Sequence, residues 1–210
     1  RAALCQVETS LLTLNPADVL EDPGTDVVVE LLGGEAFALD CIRKALAAGK
    51  HVVTANKEVM AKHGPSLLAL AEENGVELRF EASVGGGIPL IMPFQRDLVA
   101  NEVLSIRSIL NGTTNYMLTR MAEDGLDYDS ALAEAQARGF AEADPTADVD
   151  GFDAAAKIAI LASIAFNSRV TFADVPAEGI RPITPEDIDY ARETGYVIKL
   201  MAIGKRTADG

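Results

Sequence analysis

The sequence contains no tryptophan, only two histidines and only two cysteines among its 210 residues. Cys5 and Cys41 lack the close spacing of a zinc or redox motif, so we expect two small core hydrophobes in a reducing compartment, the cytoplasm. His51 and His63 have no nearby Cys or His partner, which argues against a transition-metal site. No apolar run approaches the length of a bilayer-spanning helix and no secretory signal is found, so we expect no membrane contact.

Basic residues are also scarce. Lys and Arg together number 18 against 32 Asp and Glu, which gives a formal net charge of −14. Nucleic acids and anionic membranes are bound through clustered Lys and Arg, so neither is an expected partner. A hydrophobic content of 49% supports a buried core in one large or two modest domains. We therefore expect a small molecule or another protein as the partner.

The first part of the chain alternates strand and helix patterns. "TDVVVELLG" (25–33) is a continuous β-branched run, typical of a strand buried on both faces of a parallel sheet. "HVVTA" (51–55) and "VELRFEAS" (76–83) predict two more strands, separated by helical patterns at 36–50 and 65–75. The alternation predicts the α/β class, with a doubly wound parallel sheet over residues 1–93 and a ligand crevice at the carboxyl ends of the strands.

The pattern changes after residue 93. Helices are predicted at 116–125 and 128–139, and the strongly apolar "GFDAAAKIAILASIAF" predicts a long buried helix beginning near Gly151. The segment 183–210 indicates a capped helix followed by a strand. We predict a second, α+β domain over residues 94–210.

Three polar or glycine-rich segments are candidates for ligand contacts. Thr54 and Asn56 are suited to cap the following helix, whose first turn carries Lys57. Lys57 either faces the crevice or lies on the surface. "FEASVGGGIP" places Glu81 before three glycines, which either form a tight turn or turn backbone carbonyls toward a ligand or ion. "ILNGTTNYML" (109–118) is either turn and cap chemistry or a set of hydrogen-bonding groups for a polar substrate.

An acidic segment precedes the long apolar helix. It holds five carboxylates within twelve residues, Glu142, Asp144, Asp148, Asp150 and Asp153, and like charges this close require neighbouring cations. Asp153 and Lys157 are one helical turn apart and face the same way. The pair is either a helix-stabilising ion pair or a lysine tuned for proton transfer. The segment lacks the order of ligands of an EF-hand, which argues against calcium.

Together, "VVVELLGG", "AGKHVVTANKE", "FEASVGGGIP", "ILNGTTNYML" and "GFAEADPTADVDGFDAAAKIAI" resemble the homoserine dehydrogenases. That family interconverts L-homoserine and L-aspartate 4-semialdehyde with NAD or NADP, a step toward threonine and methionine. The resemblance implies that Lys157 is the general acid and base, with Lys57 in support. It implies that Glu142 and Asp153 bind homoserine, whose ammonium group supplies the missing cation, and that Asp148 is a further active-site acid.

The resemblance also implies binding sites for the cofactor and for an ion. Asn56, Lys57 and Gly139 match cofactor-contacting positions. The side chain of Glu81 and the carbonyls of Val84, Gly86 and Ile88 match a structural sodium site. A homodimer is implied as well. The family carries a GxGxxG unit, expected before residue 1, and return strands, expected after residue 210, so the resemblance implies an internal portion of the enzyme. It implies a partial, Rossmann-like dinucleotide-binding domain over residues 1–93 and a partial catalytic and dimerisation domain over residues 94–210. The alternatives are a silent assembly fragment and a related semialdehyde reductase.

Overall fold

The computed structural model describes residues 7–207, and the chain divides after Ser83 into two compact units. The domain boundary that we place after residue 93 stays a prediction. In the first unit the helices are α1 (Ala17–Leu20), α2 (Ala36–Ala47) and α3 (Lys57–Glu73), and the strands are β1 (Val27–Glu30), β2 (His51–Thr54) and β3 (Leu78–Arg79). Short 3-10 turns lie at Thr9–Leu11 and Glu81–Ser83.

The sheet of the first unit is parallel, in the order β1-β2-β3. Val28 pairs with Val52 across the first two strands, and Val52 pairs with Leu78 across the second and third. Parallel neighbours joined by helices are the mark of the α/β class, so the predicted fold class is confirmed. The carboxyl ends of β1 and β2 therefore lie side by side.

Two details of this sheet differ from the prediction. The strand predicted over residues 25–33 is not buried on both faces, because Val27 and Val29 are 51% and 60% exposed. Among the described residues, β1 lies at the edge of the sheet, and it packs against α2. The strand predicted over 76–83 is only two residues long, because the backbone turns into the 3-10 helix at Glu81.

Helix α3 begins at Lys57, directly after the predicted cap, because the Asn56 side chain accepts the backbone N–H of Val59. The helix therefore starts before the apolar helical pattern at residues 65–75 and continues through most of it. Pro65 then lies within the helix. Cys41 is buried in α2, which confirms one of the two predicted core cysteines; Cys5 lies outside the described residues.

Over its described residues, the second unit holds five helices and two strands. The helices are α4 (Gly112–Asp124), α5 (Tyr128–Ala137), α6 (Thr146–Val149), α7 (Phe152–Ala165) and α8 (Pro185–Glu193). Strands β4 (Ser105–Ser108) and β5 (Ala202–Lys205) pair antiparallel, with Ser105 opposite Lys205. A π-helical turn spans Pro93–Asp97, and a 3-10 turn spans Phe172–Asp174.

Helix α7 supplies much of the second unit's interior. It is buried continuously from Ala154 to Ala156 and from Ile158 to Ala162, as its apolar sequence predicts. A separate cluster, centred on Met117, Leu118 and Met121 of α4, includes buried residues of α5 and α8. None of the helices within residues 7–207 combines the length and apolar composition that a membrane crossing requires.

Candidate active site

The pair Asp153 and Lys157 lies in the first two turns of α7. The Lys157 ammonium is 2.7 Å from Asp153 Oδ2 and also donates to the backbone carbonyl of Leu110, at 2.9 Å. The side chains are 18% exposed for Lys157 and 2% exposed for Asp153. Asp40 and Lys44 in α2 have the same spacing, but those side chains are more than half exposed. Burial therefore separates the α7 pair from an ordinary surface ion pair, which contributes little.

Asn111 links this pair to a second carboxylate. Its side-chain Nδ2 donates to Asp148 Oδ1 at 2.6 Å and to Asp153 Oδ2 at 2.8 Å. Its Oδ1 accepts the backbone N–H of Thr114 at 2.8 Å and so caps α4. The residue is only 4% exposed. The start of α4 and the start of α7 are thus joined through one amide group.

Residues 139–156 contain five carboxylates and no Lys or Arg. The positive charges that contact this acidic segment therefore come from residues outside it. Lys157 contacts Asp153, and Arg181 contacts Asp150. The pKa of Asp144 lies below its usual value, chiefly through hydrogen bonds from the Thr146 side chain and backbone N–H, with a smaller effect of Arg181. A surface so rich in carboxylates favours the binding of a cationic group.

The loop before α8 holds the end of α6 in place. Gly179 lies in this loop, and a Cβ at its position would overlap the Val149 carbonyl and come within 2.6 Å of Asp150 Cα. The N–H of Ile180 donates to the same Val149 carbonyl, at 2.8 Å. Only glycine leaves room for this approach, which fixes α6 and with it Asp148.

The loop after α5 leads to Glu142. Gly139 has a φ of +76° and ends α5, with the N–H of Phe140 donating to the carbonyl of Ala135 in a Schellman arrangement. The Thr113 hydroxyl of α4 donates to the Phe140 carbonyl at 2.7 Å, which ties this loop to the start of α4. Glu142 is exposed.

Of the residues predicted for catalysis and substrate binding, the second unit therefore gathers Asp148, Asp153 and Lys157. Contacts of Gly139 with a cofactor and of Glu142 with a substrate stay predictions.

In the first unit, a buried polar network joins the carboxyl ends of β1 and β2. The Thr54 hydroxyl donates to the Glu30 carboxylate, which also accepts the backbone N–H of Leu32 at 2.6 Å. Asn56 donates from its side chain to the carbonyl of Gly34 at 2.8 Å, and its own N–H donates to Thr54 Oγ1. Glu30, Thr54 and Asn56 are each at most 9% exposed. The network fixes the loop after β1 against the start of α3.

The loop after β1 lies next to the start of α3. Gly34 has a φ of +76°, and a Cβ there or at Gly33 would meet no atom within 4 Å, so the loop borders open space. Lys57, half-buried, is the first residue of α3, directly after the capping Asn56. This is the edge of a parallel sheet at which dinucleotides bind in α/β folds.

The predicted sodium ligands fall at the end of one unit and the beginning of the other. Glu81 begins the 3-10 turn of the first unit, and Val84, Gly86 and Ile88 belong to the second. The three glycines 85–87 all have positive φ, and a Cβ at Gly85 would lie 2.9 Å from the Ile88 carbonyl oxygen. The N–H of Ile88 donates to the Gly85 carbonyl at 3.0 Å, so this backbone forms a tight turn. Ligation of an ion by these carbonyls stays a prediction. Within residues 7–207, no cluster of three or more His, Cys, Asp or Glu side chains forms a metal site.

Three residues of the site were not among those predicted: Asn111, Thr113 and Arg181. The first two lie in "ILNGTTNYML", whose polar composition indicated either caps or ligand contacts, and the structure shows that Asn111 both caps α4 and contacts the site carboxylates. Arg181 is 31 residues from Asp150 in sequence. The crowding of carboxylates indicated that cations must lie nearby, but no local pattern identified Arg181 as one of them.

Comparison with known families gives two matches along the chain. Residues 89–208 match the family model described as homoserine dehydrogenase. Residues 1–81 match the model described as homoserine dehydrogenase, NAD binding domain. The two matches follow each other in the order of the two units.

Individual relatives agree with these matches. The chain is 52% identical over 200 residues to a homoserine dehydrogenase of Synechocystis sp., covering 95% of this chain and 45% of that protein. A homoserine dehydrogenase of Bacillus subtilis is 47% identical over 196 residues, covering 93% and 45%. The chain thus spans about half the length of the curated relatives it matches.

Solved structures show the same similarity in three dimensions. A homoserine dehydrogenase from Thiobacillus denitrificans superposes with a TM-score of 0.92 at 47% identity, covering 94% of this chain and 46% of that one. A hyperthermophilic archaeal homoserine dehydrogenase in complex with NADPH superposes with a TM-score of 0.75 at 27% identity, covering 93% and 57%.

Proposed function

The chain belongs to the homoserine dehydrogenase family, and on this basis we propose that the protein interconverts L-homoserine and L-aspartate 4-semialdehyde. The observation that carries the proposal is the buried contact of Lys157 with Asp153 and the Leu110 carbonyl. An ammonium held in place by two acceptors is positioned to exchange a proton with a substrate oxygen.

The reaction requires proton movement at one oxygen atom. In the direction of reduction, negative charge develops on the aldehyde oxygen, and Lys157 donates the proton that neutralises it. In the reverse direction the same amine accepts the hydroxyl proton. Asp153 orients Lys157, and Lys57 has a supporting role in the transfer.

Substrate recognition rests on the acidic segment. We assign Glu142 and Asp153 to the ammonium group of homoserine, with Asp148 as a further acid. The composition of residues 139–156 supports this assignment, because an ammonium ion adds positive charge to a segment that has five carboxylates and no basic residue of its own. A neutral alcohol without an amino group would lack this interaction.

The first unit would hold NAD or NADP. Asn56, Lys57 and the loop through Gly34 are the groups assigned to it, together with Gly139 of the second unit. When bound, the nicotinamide supplies or accepts the hydride. The network of Glu30, Thr54 and Asn56 supports this assignment, since it holds the loop backbone in a fixed position.

Three further assignments belong to the same proposal. Sodium is bound by Glu81 and by the carbonyls of Val84, Gly86 and Ile88, supported by the glycine conformations there. The protein forms a homodimer through the sheet of the second unit, where Ile203 remains 58% exposed. The scarcity of cysteine supports a cytoplasmic location.

The test is homoserine-dependent reduction of NAD and of NADP by the protein at its full natural length. Lys157→Ala should lower kcat by about a hundredfold to ten-thousandfold, the usual contribution of general acid–base catalysis. Lys44→Ala is the matched control, because Lys44 also follows an aspartate by four residues but is exposed.

Two results would contradict the proposal. The first is wild-type protein that reduces neither cofactor with homoserine while remaining folded. The second is a Lys157→Ala variant that retains the kcat of the Lys44→Ala control.

A further inference from the structure

Asn111 occupies a position that serves two structural purposes at once. Its Oδ1 accepts from the N–H and from the hydroxyl of Thr114, at 2.8 and 2.9 Å, and its Nδ2 donates to Asp148 and Asp153. The reverse orientation of the amide would direct its oxygen at two carboxylates. The hydrogen bonds therefore determine a single orientation.

The two carboxylates are held by one nitrogen atom. Asp148 lies in α6 and Asp153 in α7, and each accepts one of the two amide hydrogens, at 2.6 and 2.8 Å. Two anions brought this close repel each other unless donors lie between them. Asn111 supplies such donors without adding charge, so the negative potential of the pair is retained.

We propose that Asn111 is a positioning residue that sets the spacing of Asp148 and Asp153 for recognition of the substrate ammonium. This inference rests on the proposed function, in which those carboxylates bind homoserine. Asn111 itself transfers no proton. Its effect reaches the substrate through the two aspartates.

Asn111→Asp separates the two purposes. The variant keeps an acceptor for the cap of α4 but loses both donors and adds a third negative charge. The third charge repels Asp148 and Asp153 and, with both donors lost, shifts them from the positions that bind the ammonium. The KM for homoserine should therefore rise about 10- to 100-fold in spite of the added negative charge, as expected for lost hydrogen bonds to charged groups. The KM for the cofactor should stay unchanged, and kcat should fall less than the KM rises.

Asn111→Ser is the second variant, for the case in which Asn111→Asp does not fold. Serine caps helices well but adds no charge, and its short side chain cannot reach both carboxylates. Asp127→Ala is the control for loss of a cap alone, because Asp127 caps α5 through the N–H of Ser130. It should lower the Tm without raising the KM for homoserine.

Crystal structures of the Asn111→Ser variant and the wild type give a readout independent of activity. The Asp148 and Asp153 carboxylates should lie farther apart in the variant. Unchanged carboxylate positions, or a wild-type KM for homoserine in a folded variant, would overturn the inference. Absence of homoserine turnover in the wild type would instead refute the proposed function, and the carboxylate positions would still decide the role of Asn111.

Discussion

Replacement of Asp153 by asparagine removes one charge from the most buried carboxylate of the site while keeping its shape. The Asp153 side chain is 2% exposed and contacts both Lys157 and Asn111 through Oδ2. If Asp153 binds the substrate, the variant should lose affinity for homoserine. If Asp153 only stabilises α7, the variant should lose stability instead.

The structure sets the expected size of both effects. Removing one partner of a buried ion pair costs about 3–5 kcal/mol. The amide oxygen of asparagine still accepts a hydrogen bond, so we expect a loss of folding stability of about 1–2 kcal/mol. Loss of a charged contact to the substrate should cost at least about 2 kcal/mol, which corresponds to a KM for homoserine raised about 30-fold.

The assay compares urea unfolding with steady-state kinetics for the Asp153→Asn variant and the wild type. Asp40→Asn is the matched control, because its partner Lys44 lies in the same i, i+4 relation on an exposed surface. The Asp40→Asn control should change neither the free energy of unfolding nor the KM for homoserine measurably. A large loss of stability with an unchanged KM for homoserine would refute substrate binding by Asp153. A fall in kcat without a change in KM would mean that Asp153 only orients Lys157.

Two other predictions concern the folding stability of the second unit. Gly179→Ala should destabilise the protein by about 1–3 kcal/mol in urea unfolding, because the new Cβ would overlap the Val149 carbonyl; unchanged stability would mean that this contact is not tight. Hydrogen bonds from Tyr116 and Arg120 lower the pKa of Glu134, so its stabilising effect is present above the usual carboxyl pKa and lost as the pH falls through the lowered value. Glu134→Gln should therefore be less stable than the wild type near neutral pH, with the difference shrinking on acidification. A difference that is constant with pH would contradict this assignment.

Local sequence patterns predicted the features that depend on neighbouring residues. The cap at Asn56, the helix end at Gly125 and the apolar helix after Gly151 each follow from side chains within a few positions, and the structure has all three. The contact of Asp153 with Lys157 also follows from the helical period.

Features that depend on distant segments were not predictable in this way. The partial exposure of β1 depends on which elements pack against it. A β-branched run has the same sequence pattern whether one or both faces of the strand are covered. Arg181 reaches Asp150 through the fold of a separate loop. The pairs Asp40–Lys44 and Asp153–Lys157 have the same i, i+4 spacing, and burial distinguishes them. The sequence pattern alone therefore could not decide whether the second pair is structural or catalytic.

The double use of Asn111 restricts which residues this position tolerates. A replacement must accept a hydrogen bond at the start of α4 and also donate two toward α6 and α7. Aspartate and serine meet only the first requirement, and glutamine is one methylene longer in a site that is 4% exposed. Sequence variation at this position should therefore be narrow even among relatives that differ at most surrounding residues, and a change there should require compensating changes in two other helices.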